Sequence, residues 1–192
     1  LVNVHSTEAF DRVLVRPVSA LVPVPTFDNS QMDGYAVCVE DLAGASADRP
    51  VTLPIGVTTA AGDAPVTHVR GTASPVMTGA AIPVGADAVV PVEGTVSQEF
   101  PRLIRLGEGG PTGDVTFTAP VGAGTFVRRR AEDLEVGATV LRAGVRLTPS
   151  RIGAAAAVGV TEVEVCPRLR VLLCTTGDEV QGIGETLVSN VS

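Results

Sequence analysis

Aromatic residues are scarce in this chain, with no tryptophan, one tyrosine and five phenylalanines among 192 residues. Sugar-binding sites rely on aromatic platforms, so the scarcity argues against a generic β-rich carbohydrate- or peptide-binding module. The sequence is nevertheless 45% hydrophobic, which is enough to bury a core and excludes a disordered chain. That core must consist mostly of Val, Leu, Ile and Ala side chains.

Histidine and cysteine are also rare, which limits the kinds of site that the chain can build. His5 and His68 are the only histidines and neither lies in an acid-rich turn, so no Ser-His-Asp set can be assembled. Cys38, Cys166 and Cys174 form an odd set without metal-ligand spacing. Each lies in an apolar run, which predicts buried free thiols and no disulfide framework.

Long apolar runs and an excess of positive charge are missing as well. No run reaches the roughly 18–20 residues of a membrane span, and no signal peptide is visible, so we expect a cytoplasmic protein without a membrane partner. The formal net charge of −7 argues against nucleic acid as the main partner. It leaves room for a small anionic ligand, because a few placed Arg residues would decide that locally. A Walker A loop and a dinucleotide-binding glycine pattern are also missing.

Glycine, proline and valine are abundant instead, and their arrangement favours β structure. Short Val-rich runs between residues 35 and 130 are separated by Gly, Pro and Asp, which indicates a compact β sandwich or barrel-like domain. The predicted strands are residues 35–39, 51–57, 74–77, 86–92, 102–106, 115–118 and 124–127.

A different pattern begins near residue 130 and contains the clearest predicted helix. Thr148 can cap this helix, Pro149 fits its first position, and Gly159 supplies the stop. The predicted strands around it are residues 138–141 and 145–147 before the helix and the half-exposed residues 162–165 after it.

The run 169–174 is mostly apolar, which predicts a strand buried on both faces at the start of a parallel α/β sheet. The chain starts at Leu1 and stops at Ser192 in mid-pattern, so we expect a fragment of a longer protein. The expected fold is mainly β with minor α, in four segments. Residues 1–27 and 131–167 form an elongated linking α+β domain, 28–130 form the β-rich domain inserted in it, and 168–192 begin a truncated α/β domain.

Four turns beside apolar strands carry residues that could perform chemistry. Asp33 lies in a turn rich in Asp, Asn and Ser, and Gly34 would permit a positive φ there. Thr78 could offer a hydroxyl and a backbone N–H to an oxyanion. The segment RRRAED at 128–133 places guanidinium groups that can grip phosphate beside carboxylates that can hold a cation. The segment TGDE at 176–179 follows the last apolar run.

Each of these features has an ordinary alternative. Asp33-Gly34 could be a simple hairpin turn, Thr78-Gly79 a plain turn, and residues 128–133 a solvated run of charge. Together, the acids, the Arg residues and the hydroxyl, without a strong nucleophile, suit Mg²⁺-assisted handling of an oxyanion or phosphate better than acyl transfer.

The four segments together resemble the molybdopterin molybdenumtransferase family, which includes the E domain of gephyrin. Any one motif is weak, but the four occur in the family's order and at its approximate spacing, with weaker similarity over most of the chain between them. The matching segments are PTFDNSQMDGYAV at 25–37, MTGAAIPVGADAVVPVE at 77–93, RRRAED at 128–133 and VLLCTTGDE at 171–179.

The resemblance implies an enzyme of the last step of molybdenum cofactor synthesis. Members insert molybdate into adenylylated molybdopterin with Mg²⁺ present and release AMP. They are elongated homodimers whose active cleft lies between the β domain of one subunit and the α/β domain of the other. Small-molecule substrates, a homodimer and an interaction with the molybdopterin adenylyltransferase are therefore expected.

The resemblance also implies site residues, transferred motif by motif. The implied catalytic residues are Asp33, Thr78, Asp133 and Glu179; the implied cofactor-binding residues are Ser30, Gly79, Arg129 and Asp178; the candidate metal ligand is Glu179. Side-chain chemistry suggests electrostatic or cation-linked roles for Asp133 and Glu179. It suggests that Thr78 donates a hydrogen bond to an oxyanion and that Asp33 reaches across the dimer.

Two departures from the family pattern affect these expectations. The family commonly has Gly before the Glu-Asp pair, and if that position needs a positive φ, Ala131 costs roughly 1 kcal/mol there. The chain also lacks most of the family's α/β domain, its C-terminal β domain and its N-terminal helix, so we expect the chain to be inactive alone. The alternative function is a non-catalytic scaffold or binding protein that has kept the family fold.

Overall fold

Short strands joined by tight turns account for most of the structure, a computed structural model that describes residues 1–101, 113–174 and 176. The mainly β class with minor α that the sequence predicts is confirmed. One α-helix, α1, spans Pro149–Ala157 among the described residues, and single 3₁₀ turns occupy Ser6–Glu8, Val39–Leu42 and Val92–Gly94. The strands are β1 (Val2–His5), β2 (Val18–Ser19), β3 (Asn29–Ser30), β4 (Gly34–Val37), β5 (Val51–Pro54), β6 (Ser74–Val76), β7 (Ala88–Pro91), β8 (Asp114–Phe117), β9 (Val127–Arg128), β10 (Thr139–Leu141) and β11 (Glu162–Val165).

The strands pair antiparallel in small sheets. β4 is the centre of a three-stranded sheet between β6 and β7, while β1 and β11, β2 and β10, β3 and β9, and β5 and β8 form two-stranded pairs. These sheets do not close into a barrel within the described ranges. Pro75 lies in β6, which is an edge strand, so its missing N–H breaks no ladder to a further strand.

The first hydrophobic core brings together the early and late parts of the described chain. β1 pairs with β11 in a register that sets Val2 opposite Val165. Leu14 and Leu147, each about 1% exposed, fill the centre beneath this pair. The core therefore depends on contacts between segments more than 130 residues apart in the sequence, as the register of β1 and β11 shows.

The helix α1 covers this first core and has the boundaries that its sequence predicts. The Thr148 hydroxyl accepts a hydrogen bond from the Arg151 N–H at 3.4 Å, and Pro149 is the first helical residue. Gly159 follows the helix with φ +84°, a conformation that glycine adopts without strain. Ala155 faces the core and is fully buried.

The second hydrophobic core is built around β4, whose four residues are all buried. Tyr35 meets Phe117 edge to face with ring centroids 6.1 Å apart. The Tyr35 hydroxyl donates to the Glu99 carbonyl oxygen at 3.2 Å, which satisfies the polar end of the ring. On the opposite face of β4, a smaller cluster contains Ala36, Val76, Val89 and Val127. Two of the few aromatic side chains thus occupy the centre of an otherwise aliphatic core.

Gly34 opens β4 and must be glycine for a reason other than the turn. A Cβ at this position would lie 2.2 Å from the Val90 carbonyl oxygen and 2.9 Å from Pro91 Cα. The φ of Gly34 is outside the left-handed region, so the positive φ expected there is wrong. The close approach of β7 is what excludes a side chain.

Two of the predicted strands do not form, and a third, at 124–127, is a turn except for Val127, which lies in β9. Residues 145–147 contribute only an isolated bridge between Val13 and Arg146. Residues 169–174 form no strand, and Leu169 and Leu172 are more than 90% exposed. A strand buried on both faces needs neighbouring strands and covering helices, and the described residues place neither beside this segment. The predicted strand at 102–106 lies outside the described residues.

The cysteine predictions are correct in part. Cys38 is buried, whereas Cys166 and Cys174 are exposed because they lie beyond the first core, after the end of β11. The predicted domain boundaries at residues 27, 130 and 167 stay predictions. Within the described part of the chain, no helix has both the length and the apolar character needed to cross a membrane.

Candidate functional site

Asp33 and Thr78, which come from different turns, are joined directly. Asp33 Oδ1 accepts hydrogen bonds from the Thr78 N–H at 2.7 Å and from the Thr78 hydroxyl at 2.8 Å. The Asp33 carbonyl oxygen accepts from the Val92 N–H at 3.1 Å, so the backbone of this turn is fixed too. Both side chains are exposed, and Oδ2 of Asp33 accepts no hydrogen bond from the described residues. The pair therefore presents one oriented carboxylate oxygen to solvent.

This geometry changes the role expected for Thr78. A hydroxyl has one proton to donate, and the proton of Thr78 goes to Asp33 together with the backbone N–H. Thr78 consequently orients a carboxylate and leaves no donor of its own for an oxyanion.

Ser30 connects the Asp33 turn to the loop that carries Thr78 and Gly79. The Ser30 carbonyl oxygen accepts from the Gly79 N–H at 2.8 Å, and the Ser30 N–H donates to the Ala80 carbonyl oxygen at 3.0 Å. Its buried hydroxyl donates to the Met32 carbonyl oxygen at 2.6 Å. Gly79 has φ +79° with open space around it, so glycine is needed there for its backbone conformation. In this structure Ser30 organises both turns through its backbone.

The loop after β9 lies beside these turns because β9 pairs with β3. Asn29 is opposite Arg128 in that pair. The Arg128 guanidinium forms an ion pair with the Asp133 carboxylate across the loop. Glu132 Oε2 accepts from the Arg129 N–H at 2.8 Å. The run of charge predicted at 128–133 is thus a closed loop whose carboxylates are engaged by its own Arg128 and backbone.

Ala131 occupies a left-handed backbone conformation with φ +65°. Its N–H donates to the Pro25 carbonyl oxygen at 3.0 Å, and the Asp133 N–H donates to the Val24 carbonyl oxygen at 2.9 Å. The need for a positive φ at this position is therefore confirmed. The loop keeps its anchors in spite of the strain that an alanine carries there.

Asp28 was not among the predicted site residues, although it lies in the same turn as Ser30. Its Oδ2 accepts from Arg129 Nη1 at 2.8 Å, and its Oδ1 accepts from the Arg130 N–H at 2.7 Å. The Arg130 N–H lowers the pKa of the Asp28 carboxyl below its usual range, burial opposes this shift, and the Arg129 guanidinium adds to the lowering. The available signal was a carboxylate two residues before Ser30, in a turn already singled out.

Three of the four predicted clusters therefore meet around β3. The turn with Ser30 and Asp33, the loop with Thr78 and Gly79, and the loop with Arg129 and Asp133 are joined by direct hydrogen bonds or strand pairing. The fourth cluster is not part of this arrangement as described, because Asp178 and Glu179 lie outside the described residues.

The surface around β3 carries carboxylates and one Arg-rich loop, but the described residues do not form a metal site there. Among the described residues, no group of three or more His, Cys, Asp or Glu side chains could hold a metal ion. Asp33 is turned toward Thr78 and Asp133 toward Arg128, so these two carboxylates are not aimed at one common point. By themselves the described residues do not fit Mg²⁺.

A cavity of about 440 Å³ lies elsewhere, beside the first core. Its lining includes Arg16 and Glu164, whose side chains form an ion pair at 2.6 Å. No predicted site residue lines it. The predicted site is thus an exposed surface of turns in this chain and does not lie in this cavity.

Comparison with known proteins gives consistent relatives. The family model for the MoeA N-terminal region (domain I and II) matches residues 1–159. A protein named molybdopterin molybdenumtransferase from Synechococcus elongatus is 41% identical over 175 residues, covering 90% of this chain and 40% of the relative. Molybdopterin molybdenumtransferase 2 from Mycobacterium tuberculosis is 41% identical over 187 residues, covering 97% of this chain and 43% of the relative.

A solved structure has the same fold over most of the chain. The crystal structure of a molybdopterin biosynthesis MoeA protein from Pyrococcus horikoshii OT3 superposes with a TM-score of 0.71 at 31% sequence identity. The match covers 85% of this chain and 40% of that one. The chain therefore spans less than half the length of the relatives that it matches.

Proposed function

Because the chain belongs to the family of the MoeA N-terminal region (domains I and II), we propose that it is part of a molybdopterin molybdenumtransferase. The observation that carries this proposal is the meeting of three separate motifs around β3, with Asp33 bonded to Thr78 and the Arg129 loop beside them. The contacts between these motifs join residues that lie 45 to 102 positions apart in the sequence. Convergence is expected if they serve one substrate.

The proposed reaction is insertion of molybdate into adenylylated molybdopterin, with Mg²⁺ present and AMP released. In this proposal Thr78 holds the Asp33 carboxylate so that its second oxygen faces the substrate. Arg129 binds anionic groups of the substrate, Gly79 leaves open space for the substrate beside its loop, and Asp133 acts electrostatically beside Arg128. Mg²⁺ would supply charge neutralisation at the phosphate, and its candidate ligand remains Glu179, with Asp178 as a further cofactor-binding residue.

The proposal extends to the assembly in which this chain works. A homodimer places the turns around β3 opposite the α/β domain of a second subunit, and the chain alone is inactive because that domain supplies the rest of the cleft. The protein acts in the cytoplasm and receives its substrate from a molybdopterin adenylyltransferase. The family resemblance supports the dimer and its partner, and the need for a further domain is supported by the 40% and 43% of two relatives that this chain covers.

The test is molybdate- and Mg²⁺-dependent release of AMP from adenylylated molybdopterin, measured with the full-length protein and with residues 1–192. We expect turnover by the full-length protein and none by the shorter chain. Asp33→Asn keeps the acceptor for Thr78 but loses the charge, so the fold should persist while the rate falls about 100-fold. A wild-type rate in Asp33→Asn would remove Asp33 from the catalytic residues.

The same assay separates the enzyme from the scaffold alternative. A scaffold would bind molybdopterin without releasing AMP. The feature that spoke for it, Ala131 in place of glycine, does not displace the loop, since the Asp133 N–H still reaches the Val24 carbonyl oxygen at 2.9 Å. The enzyme is therefore the function that we propose.

A further inference from the structure

Asp28 lies where the loops of the candidate site come together, and each of its three oxygens is used. Oδ1 accepts from the Arg130 N–H at 2.7 Å, and Oδ2 accepts from Arg129 Nη1 at 2.8 Å. The Asp28 carbonyl oxygen accepts from the Ile82 N–H at 3.0 Å, in the loop that follows Thr78. One residue thus connects the loop of Thr78 with the loop of Asp133.

The carboxylate of Asp28 acts at the part of the second loop that has few other anchors. The ends of this loop are fixed by backbone bonds, from Ala131 to Pro25 and from Asp133 to Val24. Between β9 and Ala131, the described anchors are the Asp28 carboxylate, the Glu132 side chain and the Glu132 N–H, which donates to the Arg129 carbonyl oxygen at 3.2 Å. Glu132 belongs to the same loop, so Asp28 is the anchor that ties this stretch to the rest of the site.

The two contacts of the Asp28 carboxylate are stronger than hydrogen bonds between neutral groups. The two carboxylate contacts are charge-assisted, and hydrogen bonds to a charged group are worth about twice those between neutral groups. The guanidinium of Arg129 would otherwise be free to rotate in solvent, since its side chain is exposed. With one carboxylate oxygen on the Arg130 backbone and the other on the Arg129 side chain, both the path of the loop and the direction of the guanidinium are set.

We propose that Asp28 is a positioning residue for the transfer reaction, which holds Arg129 and the Asp133 loop in register with Asp33 and Thr78. This inference rests on the proposed function for its catalytic consequence. It acts through Arg129 and the loop backbone, without contact between Asp28 and the reacting atoms. Nothing in the motif resemblance assigned this residue a role.

Two substitutions separate the parts of this role. Asp28→Asn keeps an oxygen for the Arg130 N–H but loses the charge that attracts Arg129. Asp28→Ala removes both contacts. The matched control is Asp11→Asn, because Asp11 is an exposed carboxylate paired with Arg146, beside the first core and away from the site. Asn also tolerates the positive φ of Asp11.

The first measurement is amide hydrogen exchange of Arg130 in the full-length protein. Loss of a charge-assisted acceptor should speed exchange about tenfold in Asp28→Ala, with a smaller change in Asp28→Asn. Asp11→Asn should leave the exchange of Arg130 unchanged. An Arg130 amide that stays equally protected in Asp28→Ala would overturn the anchoring role.

The second measurement is kcat/KM for molybdate-dependent AMP release by the same variants. We expect a loss of about 10- to 100-fold in Asp28→Ala and a smaller one in Asp28→Asn, because small misplacements of catalytic groups cost rates of that order. Adding Arg129→Ala to Asp28→Ala should cost little more, since the two act as a unit.

The exchange and rate measurements together separate the positioning role of Asp28 from the proposed function. Rapid exchange with kcat/KM within about twofold of wild type would reduce Asp28 to a structural residue and overturn its positioning role. Fully additive losses in the double variant would show that Asp28 does not act through Arg129. If the wild-type protein releases no AMP, the proposed function fails, and the exchange of Arg130 still decides whether Asp28 holds the loop.

Discussion

The Asp33 carboxylate accepts both the backbone N–H and the hydroxyl of Thr78 through the same oxygen, at 2.7 and 2.8 Å. Two neutral donors on one oxygen hold the carboxylate without neutralising its charge. The second oxygen stays directed to solvent with a fixed orientation. If Asp33 meets a substrate as the proposed function requires, orientation before binding reduces the entropy lost on binding.

Thr78→Val removes the hydroxyl but keeps the backbone N–H to Asp33. We expect the rate of AMP release by the full-length protein to fall about tenfold, because one of two bonds that orient the carboxylate is lost. Thr78→Ser restores the hydroxyl and should stay close to wild type. Thr52→Val is the control, since Thr52 shares a hydroxyl bond of 2.9 Å with Thr116 on an exposed sheet outside the site. Equal rates in Thr78→Val and Thr52→Val would contradict the orienting role.

Ala131→Gly should stabilise the protein by about 1 kcal/mol, because φ +65° is strained for alanine and free for glycine. The measurement is the free energy of unfolding in urea. Ala156→Gly is the control and should lower the free energy of unfolding. Ala156 is an exposed residue of α1, where glycine costs about 0.5–1 kcal/mol. A destabilising Ala131→Gly would show that the strain is not stored at this position.

Gly34→Ala should destabilise the protein by about 3 kcal/mol or more, because its Cβ would lie 2.2 Å from the Val90 carbonyl oxygen. The neighbour is the backbone of β7, which is hydrogen-bonded to the central strand β4 and cannot move aside cheaply. Gly153→Ala is the matched control, since that glycine lies in α1 with nothing within 4 Å of the added atom. It should stabilise the protein by about 0.5–1 kcal/mol. Thermal or urea unfolding of both variants measures the difference.

His68 should make stability depend on pH. Its ring is buried, Nδ1 lies 2.9 Å from the Ser74 hydroxyl, and Nε2 has no hydrogen-bond partner among the described residues. Burial lowers the pKa of His68 below its usual value of 6.5, while the carboxylates of Asp41 and Asp87 oppose the shift. The unfolded chain therefore takes up the proton first. The stabilising contribution is fully present above about pH 6.5 and is lost as the pH falls through the folded pKa.

The free energy of unfolding in urea, measured between pH 8 and pH 5, checks this expectation. The decrease on acidification should be smaller in His68→Gln, which cannot be protonated. His5→Gln is the comparison, because His5 is exposed and its removal should leave the decrease in place. An identical decrease in His68→Gln and wild type would assign the pH dependence to other groups.

Local signals predicted the local structure well. Thr148, Pro149 and Gly159 defined α1 because capping, a fixed φ and a left-handed stop act within one helical turn. The positions of several strands could also be predicted from the sequence, since β4, β5, β6, β7 and β8 overlap the predicted apolar runs. These features depend on a few neighbouring residues, and the sequence shows those directly.

Features that depend on distant partners were harder to predict. The bond between Asp33 and Thr78 spans 45 positions, and that between Asp28 and Arg130 spans 102. An apolar run such as 169–174 predicts burial only if partners exist to bury it, and the described residues supply none. The glycine at position 34 was singled out for the turn, whereas the approach of Val90 from another strand is what requires it.

The two-residue length of β3 has a consequence for which changes the chain can accept. Successive residues of a strand face opposite sides, and both residues of β3 are buried, so a one-residue insertion or deletion within Asn29–Ser30 would move these side chains off their partners and shift the pairing with β9. The carboxylates of Asp28 and Asp33, which flank this strand, would then change position relative to each other. The number of residues between them is therefore fixed, and a change in length of this segment would break their joint arrangement.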